Sequence, residues 1–348
     1  MRNSEEGRIV NLSVHFTGNK TNGEDIIVSR EPLPLSDARL QQLLLHYFLG
    51  AFSQPGEYYH FTFSNGDCTM NPVYQYAAQI FDSPRSFHTQ SVNIAKHLYE
   101  CADHPAIKPG DLFVVHLEGV ETGSGVADVI GLFKSEQKQS FLRLLSQGSN
   151  FDLEADAGIN VDKPDKACLI INTERDNGFK ICILDKANKV EAQYWKDQFL
   201  QLASCRDEYH QTKSFLDVAR NFVTQQFPED FEASRADQID LLNRSVAYFK
   251  DHDTFEKEDF EQEVFGDERI INSFREFDKT WREEHELELP DSFDISVPAL
   301  KKQMRVFKSV LKLDKNFHIY IHGDRDLIEQ GTDPDGRKYY KIYFEEEA

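Results

Sequence analysis

The chain has 348 residues, of which 40% are hydrophobic, and it contains 27 Phe and 13 Tyr. This supply of large apolar side chains excludes global disorder. The length exceeds the size at which one hydrophobic core keeps growing, so we expect two domains, with one elongated domain as the alternative. No run approaches the roughly 20 apolar residues that cross a bilayer, and the polar start MRNSEEGRIV is unlike a signal peptide, which predicts a cytoplasmic protein with no membrane contact. The formal net charge of −21 repels nucleic acid except at a local basic surface, and it favours basic protein partners.

The first hundred residues predict strand, helix, strand and two further helices. Residues 8–17 alternate apolar and polar positions, as a half-buried strand requires. Leucine and aromatic residues recur at helical spacing over residues 40–48, after the candidate N-cap Ser36. A strand at 57–63 is followed by two helical stretches that divide near Pro84, because proline disfavours helical geometry in the residue before it.

Residues 111–186 predict an antiparallel sheet joined by hairpins, since short runs rich in Val, Ile, Leu and Phe follow one another. The glycine-rich stretch Gly119–Gly125 resembles a phosphate-binding loop but lacks the lysine of that motif. We therefore interpret it as a hairpin loop. Asn177–Gly178, between the last two runs, is typical of a tight primed hairpin turn.

From about Val190 to Glu288 five stretches have helical spacing, and a shorter helix is predicted to begin near Pro298. Three strand-like runs follow (NFHIYIHG, DLIEQG and RKYYKIYFEE), with Asp333–Gly336 turning the last hairpin. The predicted fold class is α+β, with an antiparallel sheet-rich N-terminal half, a helical region and a small C-terminal antiparallel sheet. We expect a mixed α+β domain over residues 1–188 and, over residues 189–348, a helical domain that ends in a short helix and a β-hairpin sheet.

Patterns typical of catalysis are missing from the sequence. It has no Gly-x-Ser-x-Gly elbow and no family-type cysteine signature, and its five cysteines are widely spaced without a Cys-x-x-Cys pair. We expect no enzymatic activity, no cofactor and no metal site. An enzyme with a dispersed site, which would need a pocket of convergent ionisable groups, is an alternative.

A histidine-containing strand face is predicted near the C-terminus. His318, Tyr320 and His322 share one face of the run at 317–322, and Phe317, Ile319 and Ile321 face the core. Because no third metal ligand accompanies the two histidines, we interpret this face as an ordinary exposed one. Stacking on nucleic acid is the alternative.

Residues 301–315, KKQMRVFKSVLKLDK, form a basic segment that opposes the charge of the whole chain. Its cations are Lys301, Lys302, Arg305, Lys308, Lys312 and Lys315, and its one acid is Asp314. In its helical part Lys301, Arg305 and Lys308 are spaced at i, i+4 and i+7, which predicts three cations on one helix face. Such a face can bind phosphates without reading sequence. A basic helix that neutralises the acidic helices before it is the alternative.

Residues 251–290 form an acidic segment. Its first half, DHDTFEKEDFEQEVFGDERI, has nine Asp and Glu against two Lys and Arg, a formal −7. The simpler interpretation is a solvated helical face. A docking surface for a basic partner is the alternative.

Four stretches, in this order, resemble the bacterial 37 kDa nucleoid-associated protein family. They are IVNLSVHF, FVVHLEGVETGSGVADVIGLFK, NRSVAYFKDHDTFEKEDFEQEVFG and ELPDSFDISVPALKKQMRVFKSVLKLDKNFHIYI, and together they span nearly the full length. The resemblance implies nucleoid association and binding of DNA or nucleoprotein, with no enzymatic activity.

Two functional hypotheses follow. The first is a cytoplasmic nucleoid-associated protein that binds DNA without strong sequence specificity through the six cations of the basic segment. The second is an acidic protein-interaction module that reaches the chromosome indirectly, through a basic DNA-handling partner bound by the acidic segment. Exposed sheet edges and the many Phe residues are also compatible with a symmetric homodimer.

Overall fold

The computed structural model describes residues 7–53, 56–64, 66–123, 125–148, 150–185, 194–305, 307, 310–321 and 327–346. The chain divides into two compact units, an N-terminal unit of residues 1–205 and a C-terminal unit of residues 206–348. The domain boundary expected at 188/189 falls among residues 186–193, which lie outside the described residues, and it stays a prediction.

A seven-stranded antiparallel sheet is the centre of the N-terminal unit. Its strands are Arg8–Thr17 (β1), Tyr58–Phe61 (β2), Gly110–Thr122 (β3), Gly125–Ser135 (β4), Lys166–Ile171 (β7), Lys180–Asp185 (β8) and Leu202–Ser204 (β9). They stand in the order β1-β3-β4-β7-β8-β2-β9. The antiparallel sheet is thereby confirmed. Of the helical stretches expected after Val190, the first is helical over Tyr194–Leu200 but stops there, because Leu202–Ser204 pairs with β2 as an edge strand.

Helices cover both faces of this sheet. They are Ala38–Leu49 (α1), Pro72–Asp82 (α2) and Phe87–Glu100 (α3). Because successive strand residues point to opposite faces, Val115 and Leu117 pack with Phe48 of α1, whereas Leu112 packs with Ile94 of α3. The result is three layers, with the sheet buried between helices.

The helix boundaries follow local signals closely. The division near Pro84 is confirmed, since α2 ends at Asp82 and α3 begins at Phe87. At α1 the N-cap is Asp37 rather than the expected Ser36, because the Asp37 carboxylate accepts the Arg39 N–H at 2.8 Å. A charged carboxylate is also favoured there by the helix dipole.

The two glycine-containing turns differ in outcome. β3 and β4 form the hairpin expected around Gly119–Gly125, with Gly119 at φ 69° where the β3–β4 register shifts. The tight turn expected at Asn177–Gly178 is wrong, because β7 and β8 are joined by residues 172–179, which include a 3₁₀ turn at Arg175–Asn177. Gly178 has φ 95°, and a Cβ there would lie 2.5 Å from the Phe61 carbonyl oxygen. This glycine therefore allows close backbone approach instead of a two-residue turn.

Residues 139–158 form a separate two-stranded sheet between β4 and β7 in sequence, which we call the arm hairpin. Its strands are Gln139–Gln147 (β5) and Asn150–Gly158 (β6). Strand patterns predicted hairpins over this stretch, but not that this one would leave the main sheet.

The C-terminal unit begins with helices packed around phenylalanines. The helices are Glu208–Asn221 (α4), Phe227–Phe231 (α5), Arg235–Asp251 (α6), Lys257–Phe260 (α7), Glu268–Glu284 (α8) and Val297–Gln303 (α9), and Thr254–Glu256 (β10) pairs with Ser292–Asp294 (β11). Phe215 lies 4.2 Å from Phe255 between ring centroids, and Phe222 lies 5.2 Å from Phe274 in an edge-on arrangement. Such tilted pairs add to the free energy gained by burial, so phenylalanine supplies much of this core.

Two hairpins complete the C-terminal unit. Val310–Leu313 (β12) pairs with Phe317–Tyr320 (β13), and Ile328–Thr332 (β14) pairs with Lys338–Ile342 (β15) across the expected turn at Asp333–Gly336. Leu311 and Ile321 are buried with Ile239 of α6. Phe317, expected to face the core, is instead 63% exposed. The small C-terminal antiparallel sheet, and with it the α+β class, is confirmed.

Candidate nucleic-acid interface

The basic segment spans three consecutive elements. Lys301 and Lys302 lie in α9, Arg305 in the turn after it, Lys312 on β12 and Lys315 in the turn to β13, while Lys308 lies outside the described residues. The predicted helix face with three cations is wrong, because α9 ends at Gln303. Strand pairing from Val310 onward takes the chain out of helical geometry.

The exposed face of the β12–β13 hairpin joins two features that the sequence presented separately. Lys312 lies directly opposite His318 in the strand register, and both side chains are exposed. Tyr320 is on the same face, two residues along, and is 67% exposed. The remaining member of the predicted face, His322, lies outside the described residues. A cation, an imidazole and a phenol therefore share one face of this hairpin.

Sequence reasoning did not predict that Lys312 would lie opposite His318, because it did not predict β12. Of its four residues, Leu311 is buried and Lys312 is exposed, whereas Val310 and Leu313 are intermediate. A run of only four residues beside a helix is too short for periodicity alone to identify. The pairing partner, β13, is what makes it a strand.

The described cations of the basic segment are all exposed to solvent. Within the part of the chain that the structure describes, none of the five forms an ion pair with an Asp or Glu side chain. Direct ion pairs with the acidic helices, the closest form of the alternative role, are therefore not seen for these cations among the described residues. The arrangement instead leaves these cations available to an anion from outside.

The acidic segment contains two buried carboxylates, and each is paired. The Arg275 guanidinium donates to Glu261 Oε2 at 2.6 Å. Asp278 accepts from Lys257 Nζ at 2.6 Å and from Arg282 Nε at 2.7 Å. Removing one member of a buried pair leaves an uncompensated charge, so these contacts are structural.

An open depression of about 640 Å³ lies on the surface of the acidic segment. It is lined by Glu256, Lys257, Glu258, Asp259, Glu261, Arg275 and Asp291. Its two cations, Lys257 and Arg275, are those bound to Asp278 and Glu261. The exposed carboxylates of the depression therefore dominate its electrostatic potential.

Serine and histidine side chains meet where β1 contacts α3. His15 Nε2 lies 3.1 Å from Ser91 Oγ, and Ser13 Oγ lies 3.1 Å from His88 Nδ1. Burial, and then the electrostatic interaction with the neighbouring His88, lowers the pKa of His15 to about 4. His15 Nδ1 accepts the Ser29 N–H at 3.1 Å, so the neutral ring carries its proton on Nε2 and donates it to Ser91. These contacts hold β1 to α3.

The described residues contain neither a metal-binding cluster nor a membrane-spanning helix. Among the described residues, no group of three or more His, Cys, Asp or Glu side chains is arranged to hold a metal ion. None of the helices in the described ranges combines the length and apolar composition that crossing a bilayer requires.

A comparison with protein families finds one that covers both units. The family model NA37, described as nucleoid-associated protein YejK, matches residues 13–340, from within β1 to within β15. The chain belongs to the NA37 family. The resemblance inferred from four stretches of sequence is thereby confirmed, and the NA37 match includes both the basic and the acidic segment. No curated protein matches the chain.

Proposed function

We propose that this chain binds duplex DNA at the nucleoid without strong sequence specificity. The binding surface would consist of Lys301, Lys302, Arg305, Lys308, Lys312 and Lys315, extended by the exposed face of the β12–β13 hairpin. The observation that carries the proposal is that the five described cations of this segment are exposed and form no ion pair with described acids, in a chain of net charge −21. Membership of a nucleoid-associated family supports it.

Phosphate contact is the chemistry that this surface can supply. Each Lys or Arg that neutralises a phosphate releases condensed counterions, so log Kd depends on log salt with a slope of about 0.9 for each contact. The surrounding negative charge confines DNA to this surface. His318 and Tyr320, exposed on the same hairpin face as Lys312, would contact the sugars of the backbone. Phosphate contacts carry no direct sequence information, which accounts for low specificity.

The test is a salt titration of random-sequence duplex DNA with the purified chain. The variant Lys301→Ala, Lys302→Ala, Arg305→Ala, Lys308→Ala is expected to bind more weakly, with a salt slope lower by about 3 to 4. The matched control replaces four exposed cations elsewhere in the chain with alanine, namely Arg85, Lys96, Lys163 and Lys279. It removes the same total charge as the test variant. An equal loss in both variants would show a general charge effect and remove the basic segment from the mechanism.

The acidic depression favours a second candidate function, association with the chromosome through a basic protein partner. Its two cations are bound by buried carboxylates, so Glu256, Glu258 and Asp259 are left to face a partner. Complementary charge accelerates encounter with a basic surface and selects against acidic ones.

Nuclease digestion distinguishes the two candidates. Chromosomal association that survives digestion, and is lost in the variant Glu256→Gln, Glu258→Gln, Asp259→Asn, would support the protein partner. Association lost on digestion, and unaffected by these substitutions, would support direct DNA binding.

A further inference from the structure

The arm hairpin has one apolar face and one charged face. Strand alternation and the β5–β6 register place the side chains of Leu142, Leu144, Phe151 and Leu153 on one face, together with Ser140, Ser146, Ala155 and Ala157. No charged residue is on this face. Arg143, Asp152, Glu154 and Asp156 lie on the other face together with Phe141 and Leu145, and Arg143 contacts Asp156 at 3.0 Å.

The apolar face is uncovered. Leu142 is 68% exposed, Phe151 67%, and Leu144 and Leu153 63% each. These four side chains expose on the order of 400–500 Å², a contiguous patch of the size that marks interaction sites. A two-stranded hairpin is also only marginally stable by itself. The exposed apolar area and the low intrinsic stability both favour packing of this face against another surface.

Among the described residues, no other part of the chain covers this face. The longest stretches outside the described residues are MRNSEE, KANKVEAQ and HGDRD, and all three are polar. The absence of cations on the apolar face argues against nucleic acid as the occupant. The acidic residues of the opposite face argue against an anionic lipid surface. The occupant must then be an apolar protein surface.

We propose that the arm hairpin packs face to face with the arm hairpin of a second copy of this chain, forming a two-fold symmetric dimer. The face is self-complementary about its centre, where Leu144 lies directly opposite Leu153. A two-fold axis across the strands brings Phe151, near the tip of one copy, over the small Ala155 and Ala157 of the other. Large side chains thus meet small ones, as in packed cores.

The buried area is close to what a specific dimer needs. Two such faces, if fully buried, remove roughly 800–1,000 Å² of apolar surface from water, and the serine, alanine and backbone atoms around them bring the total toward the ~1,200 Å² of the smaller stable interfaces. The charged faces point away from the contact, so no ion pair has to be desolvated. The net charge of −21 on each copy opposes association, and the dimer is therefore expected to tighten as salt increases.

Sedimentation of the full chain over a concentration series tests the proposal. The wild-type chain is expected to dimerise, and the variant Leu144→Asp, Leu153→Asp to raise the dissociation constant at least about a hundredfold. Val126→Asp is the matched control, because Val126 is 74% exposed on another hairpin. A wild-type chain that sediments as a monomer throughout, or a dimer that persists in the double variant, would overturn the proposal. So would equal dissociation of the Val126→Asp dimer.

Cross-linking provides a second readout that does not depend on weakening the dimer. Leu144→Cys places a thiol at the proposed two-fold centre, and Arg143→Cys places one on the adjacent residue facing away. We expect a thiol-specific cross-linker to join Leu144→Cys copies above the wild-type background and Arg143→Cys copies at that background. Equal cross-linking of both variants would contradict the face-to-face geometry. This proposal does not depend on DNA binding by the basic segment.

Discussion

The arm hairpin and the β12–β13 hairpin are both two-stranded, and both have one apolar face. The β12–β13 hairpin buries that face within its own unit, where Leu311 and Ile321 pack with Ile239 of α6. The arm hairpin leaves Leu144 and Leu153 exposed. The same local pattern is therefore part of a core in one place and an available surface in the other.

The opposite faces of the two hairpins also differ. In the arm hairpin Arg143 is already engaged by Glu154 and Asp156. In the β12–β13 hairpin Lys312 lies opposite His318, and no described acid pairs with it. Burial of one face thus leaves a hairpin able to present charge on the other, which is the arrangement proposed for DNA contact.

The largest expected effect is the loss of buried contacts at Leu311. Leu311→Ala should lower the free energy of unfolding of the C-terminal unit by about 2–5 kcal/mol, because it removes buried methyl groups and leaves a cavity. Leu144→Ala should change stability by less than about 0.5 kcal/mol at concentrations where the chain is monomeric. Urea unfolding followed by the fluorescence of Trp281, in the C-terminal unit, and Trp195, in the N-terminal unit, measures both. Similar costs for the two substitutions would refute the difference in burial.

Acidification should weaken the N-terminal unit, which carries the arm hairpin, through His15. Its folded-state pKa of about 4 lies below the ordinary value of 6.5, so the unfolded chain binds the proton more readily. The stability is fully present above pH 6.5 and falls as the pH is lowered toward 4, by on the order of 2–3 kcal/mol. His15→Gln should flatten this part of the pH profile, whereas the exposed His318→Gln serves as control. An unchanged profile in His15→Gln would contradict the assignment.

The two hairpins should differ in DNA binding by about one phosphate contact. Lys312→Ala is expected to lower the salt slope by about 1, and Arg143→Ala, which removes the same charge from the arm hairpin, to leave it unchanged. Filter binding of duplex DNA over a salt series measures the slopes. Equal slopes for the two variants would separate the β12–β13 hairpin from the DNA surface.

The smallest expected effect is at the charged face of the arm hairpin. Arg143→Ala should cost less than about 1 kcal/mol, because exposed ion pairs contribute little once solvent screening is included. Thermal unfolding of the variant beside wild type provides the measurement. A larger loss would mean that this face carries contacts beyond the two ion pairs.

Much of the fold follows from local patterns. Strand alternation predicted β1, helical spacing predicted α1, and Pro84 predicted the division between α2 and α3. Each of these depends on neighbours within one or two turns of the chain. Gly178 shows where such reasoning fails, because its conformation is required by a strand more than a hundred residues away, at Phe61.

The candidate site shows the same limit. The charge of the basic segment was evident in the sequence, but the helix expected to carry Arg305 and Lys308 ends at Gln303, and Lys312 stands opposite His318 only because β12 pairs with β13. Spacing along the chain predicts which residues share a face of one element. The same spacing does not predict whether a helix or a strand forms where strand pairing competes with helix formation.

The sequence by itself determined the alternation of apolar and polar positions, the order of sheet-rich and helical regions, and the separation of a basic from an acidic segment, because these are properties of neighbouring residues. The tertiary structure alone decided that Leu202–Ser204 joins the sheet, that α9 stops before Arg305, and that the apolar face of β12–β13 is covered while that of the arm hairpin is not. Whether an apolar face is buried depends on residues far away in sequence. Local periodicity does not depend on those residues and cannot predict the burial.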